Sequence, residues 1–244
     1  MKPYLSLVIP ARNEEENIAE TIRQFVPYLE QLPAEIIVVN DHSTDATEKV
    51  VKKLILKFPM VRLVINEKQP GFANALKAGW SRAQGVYVLP VMADGCDQPQ
   101  TIRLMLEKAA KGYDLICGCR YRKKGARVGG PKVQGFFSWW VGWSLHFICR
   151  IPTADISNAY KMYRRDILLS LNLREKGFAI SMEAALQFIT GGYKVVDVPT
   201  VWYGRKKGKS KFRISRTWPY FRLYLKALLW GIRHLCGCER WYEP

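Results

Sequence analysis

The sequence predicts an α/β fold with a mostly parallel sheet and helices on both faces. Short apolar runs alternate with stretches of helical period through the first half of the chain. The runs are continuous rather than alternating, as in strands buried on both sides. Most of them end in a polar turn, where open α/β sheets receive ligands.

The elements follow in order. Residues 5–9 form a buried strand, and 14–32 a helix with Ile18, Ile22, Phe25, Val26 and Leu29 at helical spacing. Residues 36–39 form the next strand. Asp45 and Glu48 then make a capping box before an apolar face of Val50, Val51, Leu54, Ile55 and Phe58. A strand at 61–65 leads to a helix at 71–83 with Phe72, Ala75, Leu76 and Ala78 inward. Residues 86–91 form a fourth strand, Pro99 opens a helix as its first residue, and 115–117 form a fifth strand. The basic loops 120–133 and 205–211 read as mobile.

The chain has 244 residues with a hydrophobic share of 48%, enough for one sizeable domain. Lys and Arg number 38 against 21 Asp and Glu, a net charge of +17 that implies anionic partners. The charge is uneven, since neither 115–154 nor 198–238 contains an acid. Those basic stretches lack the signatures of nucleic-acid modules, so no nucleic-acid partner is expected. Met1 runs straight toward the first strand without a leader pattern, so the six cysteines are expected to be reduced and cytosolic. The C-x-C spacings do not match a zinc ribbon.

No apolar run is long enough to span a bilayer. Residues 136–149 (FFSWWVGWSLHFIC) and 218–235 (WPYFRLYLKALLWGIRHL) are instead expected to lie at an anionic membrane surface. The chain divides into a main domain, 1–215, and an amphipathic tail, 216–244. The segment CGCERWY (236–242) is a candidate contact for a membrane protein or for a second copy.

The strand ends carry the chemistry. They read PARNE (10–14), NDHSTD (40–45) and MADGCDQP (92–99). Carboxylates gathered at one sheet edge repel one another unless they hold a cation or ligand hydroxyls. Neither a dinucleotide fingerprint nor a P-loop is present.

Taken in order, VIPARNEEENI, IIVVNDHSTDAT, GFANALKAGWSRAQGVYVLPVMADGCDQP, CGCRY, ADISNAYKMYRRD, KGFAISMEA and VPTVWYGRKKGKSKF resemble the family 2 glycosyltransferases of GT-A fold. That group includes dolichol-phosphate mannose synthase and bacterial polyprenyl-phosphate glycosyltransferases. The resemblance covers about residues 4–215. It implies a hexosyltransferase of lipid-glycan or cell-envelope synthesis, peripheral on the cytoplasmic face of a membrane. The donor is then a UDP- or GDP-linked sugar, the acceptor a polyprenyl or dolichyl phosphate, and the cofactor Mg²⁺ or Mn²⁺.

The resemblance also implies site residues. Pro10, Arg12 and Glu14 match the segment around the nucleobase, and Asn40 and Asp41 the turn near base or ribose. Met92, Ala93 and Asp94 match the D-x-D-like motif at the diphosphate. Arg120 matches a basic residue near the phosphates, with Lys132 and Ser138 beside it on the acceptor side. Glu183 matches an acid facing the cleft, and Arg205 and Lys211 the loop that closes over the diphosphate. The metal falls to Asp94, with Cys96 and Asp97 (or Gln98) as further ligands.

Departures are visible. Met92 stands where the first acid of the motif is expected, and a thioether is a poor ligand for a hard cation. Cys96 stands where Gln is common, and Asn40 where an acid is usual. A transferase directed at a sugar hydroxyl, with Glu183 or Asp155 as base, and a non-catalytic nucleotide-binding module remain as alternatives.

Overall fold

The structure is a computed structural model that describes residues 2–122, 126–205 and 218–235, without the side chains of His234 and Leu235. Lys211, the 205–211 loop beyond Arg205, and the 236–242 segment lie outside the described residues.

A seven-stranded sheet has the order β3-β2-β1-β4-β7-β5-β8. Its strands are β1 (Leu5–Ala11), β2 (Ala34–Asn40), β3 (Val61–Ile65), β4 (Tyr87–Pro90), β5 (Leu115–Cys119), β7 (Lys161–Arg164) and β8 (Val195–Pro199). A separate parallel pair joins β6 (Arg127–Val128) to β9 (Trp202–Tyr203). The helices are α1 (Ile18–Phe25), α2 (Thr47–Ile55), α3 (Phe72–Arg82), α4 (Thr101–Ala110), α5 (Lys132–Ile148), α6 (Arg165–Ser170), α7 (Ile180–Thr190) and α8 (Trp218–Leu235). The expected α/β class with helices on both faces is observed. The sheet is parallel except for β7, which runs antiparallel to both β4 and β5.

Strand alternation sorts the core into two layers. Leu5, Leu7, Ile9, Ile36 and Val38 face one side with α1, α2 and α4. Val8, Ile37 and Val39 face the other with α3, α5, α7 and α8. The central strands β1, β2 and β4 are covered on both faces, which is why each reads as a near-continuous apolar run.

Local differences from the sequence reading have physical causes. The helix expected over 14–32 ends at Phe25, because Pro27 lacks an N–H and the chain tightens into a 3-10 turn at Val26–Tyr28. Pro99 is not a first helical residue; it sits in the turn before α4, and its carbonyl accepts from Ile102 N–H at 3.0 Å. The capping box does not close. Asp45 Oδ1 accepts from Thr47 N–H at 2.9 Å, but Glu48 turns away to Asn40 and Lys52.

The aromatic segment at 136–149 belongs to α5 and is only partly core. Leu145 and Gly142 are buried, whereas Phe136, Phe137 and Phe147 are more than half exposed and Trp139, Trp140 and Trp143 remain accessible. Trp139, Trp143 and Phe147 stack along the outer face at 6.0 and 5.6 Å. A Cβ on Gly142 would fall 2.1 Å from the Ala154 carbonyl, so only glycine lets α5 approach the loop before β7. α8 packs Leu223, Tyr224, Ala227 and Trp230 inward and leaves Trp218, Phe221, Leu225, Leu229 and Ile232 exposed. No helix among the described residues is long and apolar enough to cross a membrane.

Candidate active site

β1, β2 and β4 run parallel, so their carboxyl ends open on one edge. The turns after β1 and β2 are laced together. Asn13, held at φ 52°, donates its N–H to Ser43 Oγ at 3.0 Å and accepts from Thr44 N–H at 2.8 Å. Glu14 N–H reaches Thr47 Oγ1 at 2.8 Å. Arg12 is exposed at the rim beside half-buried Pro10.

The buried polar residues of the second turn serve the scaffold. Asn40 donates to Glu48 at 3.0 Å and accepts from Ser43 N–H at 3.0 Å. Asp41 accepts Gly71 N–H on both oxygens, at 3.1 and 2.9 Å, and Asn66 Nδ2 at 2.7 Å. Its negative charge therefore sits at the start of α3, where the helix dipole favours it.

The third turn meets the segment after β9. Arg205 Nη2 donates to Glu14 Oε1 at 2.5 Å and its Nε to Asp94 Oδ2 at 3.2 Å. Burial opposes the Arg205 charge, but Glu14 and Asp94 more than offset this and raise its pKa. The sequence reading placed all three residues at the site without pairing them.

Asp94, Cys96 and Asp97 do not form a cation site of their own. Among the described residues, no group of three His, Cys, Asp or Glu is arranged to hold a metal. Burial, with the Asp94 charge next, pushes the Cys96 thiol far above its ordinary pKa, and sulfur is in any case a soft ligand for a hard cation. Asp97 is buried, its Oδ2 accepts Met92 N–H at 2.8 Å, and burial raises its pKa to about 7 despite that bond. Asp94 is partly open, with Oδ1 accepting Cys96 N–H at 3.3 Å. This donor set fits an ion delivered with a diphosphate, since Mg²⁺ is commonly held by one or two carboxylates plus substrate phosphates and water. Met92 is half-buried and Ala93 buried, with the Ala93 carbonyl accepting from Thr21 Oγ1 at 2.8 Å.

The Asp97 shift gives a pH prediction. Its folded pKa lies above the ordinary value of 3.8, so the folded state prefers the neutral acid. The destabilising charge is absent below pH ~4 and complete above pH ~7. Asp97→Asn, which keeps an acceptor for Met92 N–H, is expected to gain a few kcal/mol at pH 8 and nothing at pH 4. Denaturant unfolding at the two pH values checks this.

Across the edge, Arg120 follows β5. Its Nε and Nη2 each donate to Asp155 at 2.7 Å, and its backbone N–H does so at 3.0 Å. Nη2 also reaches Ser138 Oγ at 2.9 Å and Ser157 Oγ at 3.4 Å, and the two hydroxyls lie 2.6 Å apart. Burial opposes the Arg120 charge, and Asp155 reverses that effect and raises its pKa. Among the described residues Nη1 makes no hydrogen bond, and the guanidinium lies over the Tyr121 ring at 5.4 Å. Lys132, the first residue of α5, is exposed on the helix that carries Ser138.

Glu183 is spent on the scaffold. In the first turn of α7 it is buried and accepts Arg174 N–H at 2.9 and 3.0 Å and Glu175 N–H at 2.8 Å. Glu183→Gln would set an amide against those donors and is expected to cost about 1–3 kcal/mol. Transfer should fall only in proportion to the folded fraction, as read by thermal unfolding alongside rate. A far larger rate loss would identify a base.

Ser157 and the Arg120–Asp155 pair escaped the sequence reading. The signal was in the charge row, because Asp155 ends the acid-free run 115–154, and a lone acid there is placed to pair with a cation.

The glycosyl transferase family 2 model matches residues 6–171. The chain belongs to this family. It is 29% identical over 233 residues to a dolichol-phosphate mannosyltransferase of Pyrococcus furiosus, covering 93% of this chain and 64% of that protein. It is 29% identical over 234 residues to a polyprenol monophosphomannose synthase of Mycolicibacterium smegmatis, covering 93% and 86%. The chain thus spans under two thirds of the archaeal relative and most of the mycobacterial one.

Glucosyl-3-phosphoglycerate synthase of Mycobacterium tuberculosis, crystallised with Mn²⁺, UDP and glucosyl-3-phosphoglycerate, superposes with a TM-score of 0.66 at 18% identity, over 97% of this chain and 81% of that one. Its complex with Mg²⁺ and UDP gives 0.64 at 17% identity, over 97% and 80%. This family 2 transferase therefore has the GT-A fold that its motifs implied.

Proposed function

We propose that this family 2 transferase moves a hexose from a UDP- or GDP-linked donor to the phosphate of a membrane polyprenyl or dolichyl lipid. The observation that carries the reading is the Arg120 fork. It is fixed by Asp155, touches Ser138 on α5, and leaves Nη1 open beside a helix whose outer face is aromatic. A phosphate head at Arg120 and Ser138, with Lys132 nearby, would place its tail along α5. The relatives' names, which mention dolichol and polyprenol phosphates, support the same acceptor.

On the donor side, Pro10, Arg12 and Glu14 would frame the nucleoside, with Asn40 and Asp41 bracing the turn behind them, and Met92, Ala93 and Asp94 would lie along the diphosphate. Asp94 would hold a Mg²⁺ or Mn²⁺ that arrives with the donor and offsets the leaving-group charge. Arg205, with Lys211, supplies positive charge to the departing diphosphate. An acceptor phosphate oxygen bonds to the anomeric carbon as the bond from that carbon to the diphosphate oxygen breaks. The acceptor is already an anion, so no general base is needed. The Trp- and Phe-bearing outer faces of α5 and α8, flanked by basic residues, suit an anionic leaflet on the cytoplasmic side.

The deciding experiment mixes the protein, Mg²⁺ or Mn²⁺, a short polyprenyl phosphate in detergent and a panel of UDP- and GDP-sugars, with products read by mass spectrometry. A glycosyl phospholipid that disappears in Asp94→Ala is expected. Sugar transfer to a hydroxyl acceptor alone would replace this reading with the hydroxyl-directed one. Nucleotide binding without turnover would make Met92 the mark of a binding module.

A further inference from the structure

Beneath Arg120 the sheet carries charges that the proposed reaction does not use. Lys161 of β7 and Asp197 of β8 both register with Cys117 of β5, one on each side. Cross-strand partners point to the same face of a sheet. An ammonium, a thiol and a carboxylate therefore share one buried row. The loop before β7 closes over it, with Ala154 N–H donating to Asp197 Oδ2 at 2.9 Å and the next residue supplying the carboxylate that grips Arg120.

Lys161 has no exposed surface. Its Nζ donates to the carbonyl oxygens of Ile156, at 3.0 Å, and Asn158. Ser157, which meets Arg120, lies between those two carbonyls. Burial lowers the Lys161 pKa, and the neighbouring Cys117 sulfur and the Asp155 carboxylate oppose that fall. An anion approaching Arg120 meets one guanidinium and, behind it, two buried carboxylates, Asp155 and Asp197. Arg122 reaches Asp197 only from a half-exposed position at 3.4 Å. Lys161 is a fully buried cation that feels the Asp155 charge first and the Asp197 charge after it.

We propose that Lys161 is a positioning residue for the anionic acceptor. Its ammonium compensates the Asp155 and Asp197 carboxylates, and by clamping the 156–158 loop it keeps the Arg120 fork aimed outward with its charge uncancelled. The proposal rests on the reading that Arg120 receives the acceptor phosphate. Asp197 provides the counter-test, because among the described residues its Oδ1 is buried without a hydrogen-bond partner, and its Oδ2 accepts from Ala154 N–H and Arg122 Nε, which an Asn oxygen can also accept. Removing its charge therefore sacrifices little bonding.

The probe is farnesyl phosphate in detergent, with farnesol as its neutral twin and UDP and GDP as reporters of the other half of the site. Lys161→Met is expected to weaken farnesyl phosphate binding by about tenfold or more. Nucleotide and farnesol binding should stay within about twofold. Adding Asp197→Asn to that variant should restore most of the loss, and Asp197→Asn alone should tighten farnesyl phosphate binding. The single Asp197 variant keeps the test open if Lys161→Met fails to fold. Equal loss of all ligands in Lys161→Met, or no effect of Asp197→Asn in either background, would overturn the proposal. If Arg120→Gln leaves farnesyl phosphate binding intact, the acceptor reading itself fails, and the role of Lys161 fails with it.

Discussion

Asp155→Ala is expected to lower stability by about 3–5 kcal/mol and to abolish transfer. The carboxylate has no exposed surface, and the guanidinium it holds is 11% exposed. Without Asp155 the Arg120 charge stays inside the fold, where, among the described residues, Ser138, Ser157 and the Tyr121 ring remain beside it. The cost is that of an unpaired buried cation rather than of the lost bonds alone. Arg120→Met combined with Asp155→Leu removes both charges together and should recover much of the stability without recovering transfer. Denaturant midpoints, with rates measured at a temperature where each variant is folded, check both halves. A double variant as unstable as the single would mean that the loop, and not the charge, depends on Asp155.

Arg205→Gln is expected to reduce kcat by about 10²–10³ while leaving the fold intact. The guanidinium bridges Glu14 and Asp94. On the proposed reading, a diphosphate with its metal ion would need Asp94 free and a cation at hand, and a swing of Arg205 from carboxylate to phosphate would meet both needs. Its loss therefore acts on two steps with opposite signs. Mn²⁺ without nucleotide should bind the variant more tightly than the wild type, because the competing cation on Asp94 is gone. The chemical step should slow, because the leaving group loses its partner. Electron paramagnetic resonance titration of Mn²⁺ and single-turnover kinetics read the two effects separately. Weaker Mn²⁺ binding in the variant would mean that Arg205 supports the metal rather than competing with it.

The first half of the fold was legible because β1, β2 and β4 are buried on both faces and each helix shows one apolar stripe. Leu5, Leu7 and Ile9 on one side and Val8 on the other leave an uninterrupted run that has no other good reading. The second half was not. β7 reads KMYR, a short segment with basic ends, and its place between β4 and β5 is fixed by sheet pairing rather than by its own residues. The site was legible as a set of turns, because ligands gather at the carboxyl ends of parallel strands. The pairings within it were not. Arg205 and Glu14 stand 191 positions apart, and nothing local in either segment points to the other. The sequence also could not separate carboxylates that face a ligand from those that brace backbone. Asp41 and Glu183 belong to the second kind because their oxygens collect N–H groups of neighbouring loops.

The reversed strand also bears on how the chain matures. β5 has two neighbours in the sheet, β7 and β8, and both follow it in the chain. As the protein leaves the ribosome, β1 to β4 can zip together early, but their growing edge at β4 has no partner until Lys161–Arg164 emerges. Meanwhile β5, an apolar strand buried along its whole length in the finished protein, waits with both edges bare. Closing such distant pairings is slow. The nascent chain therefore passes through a sticky half-sheet before the Arg120 side of the cleft exists, and a chaperone that covers strand edges would act during that interval.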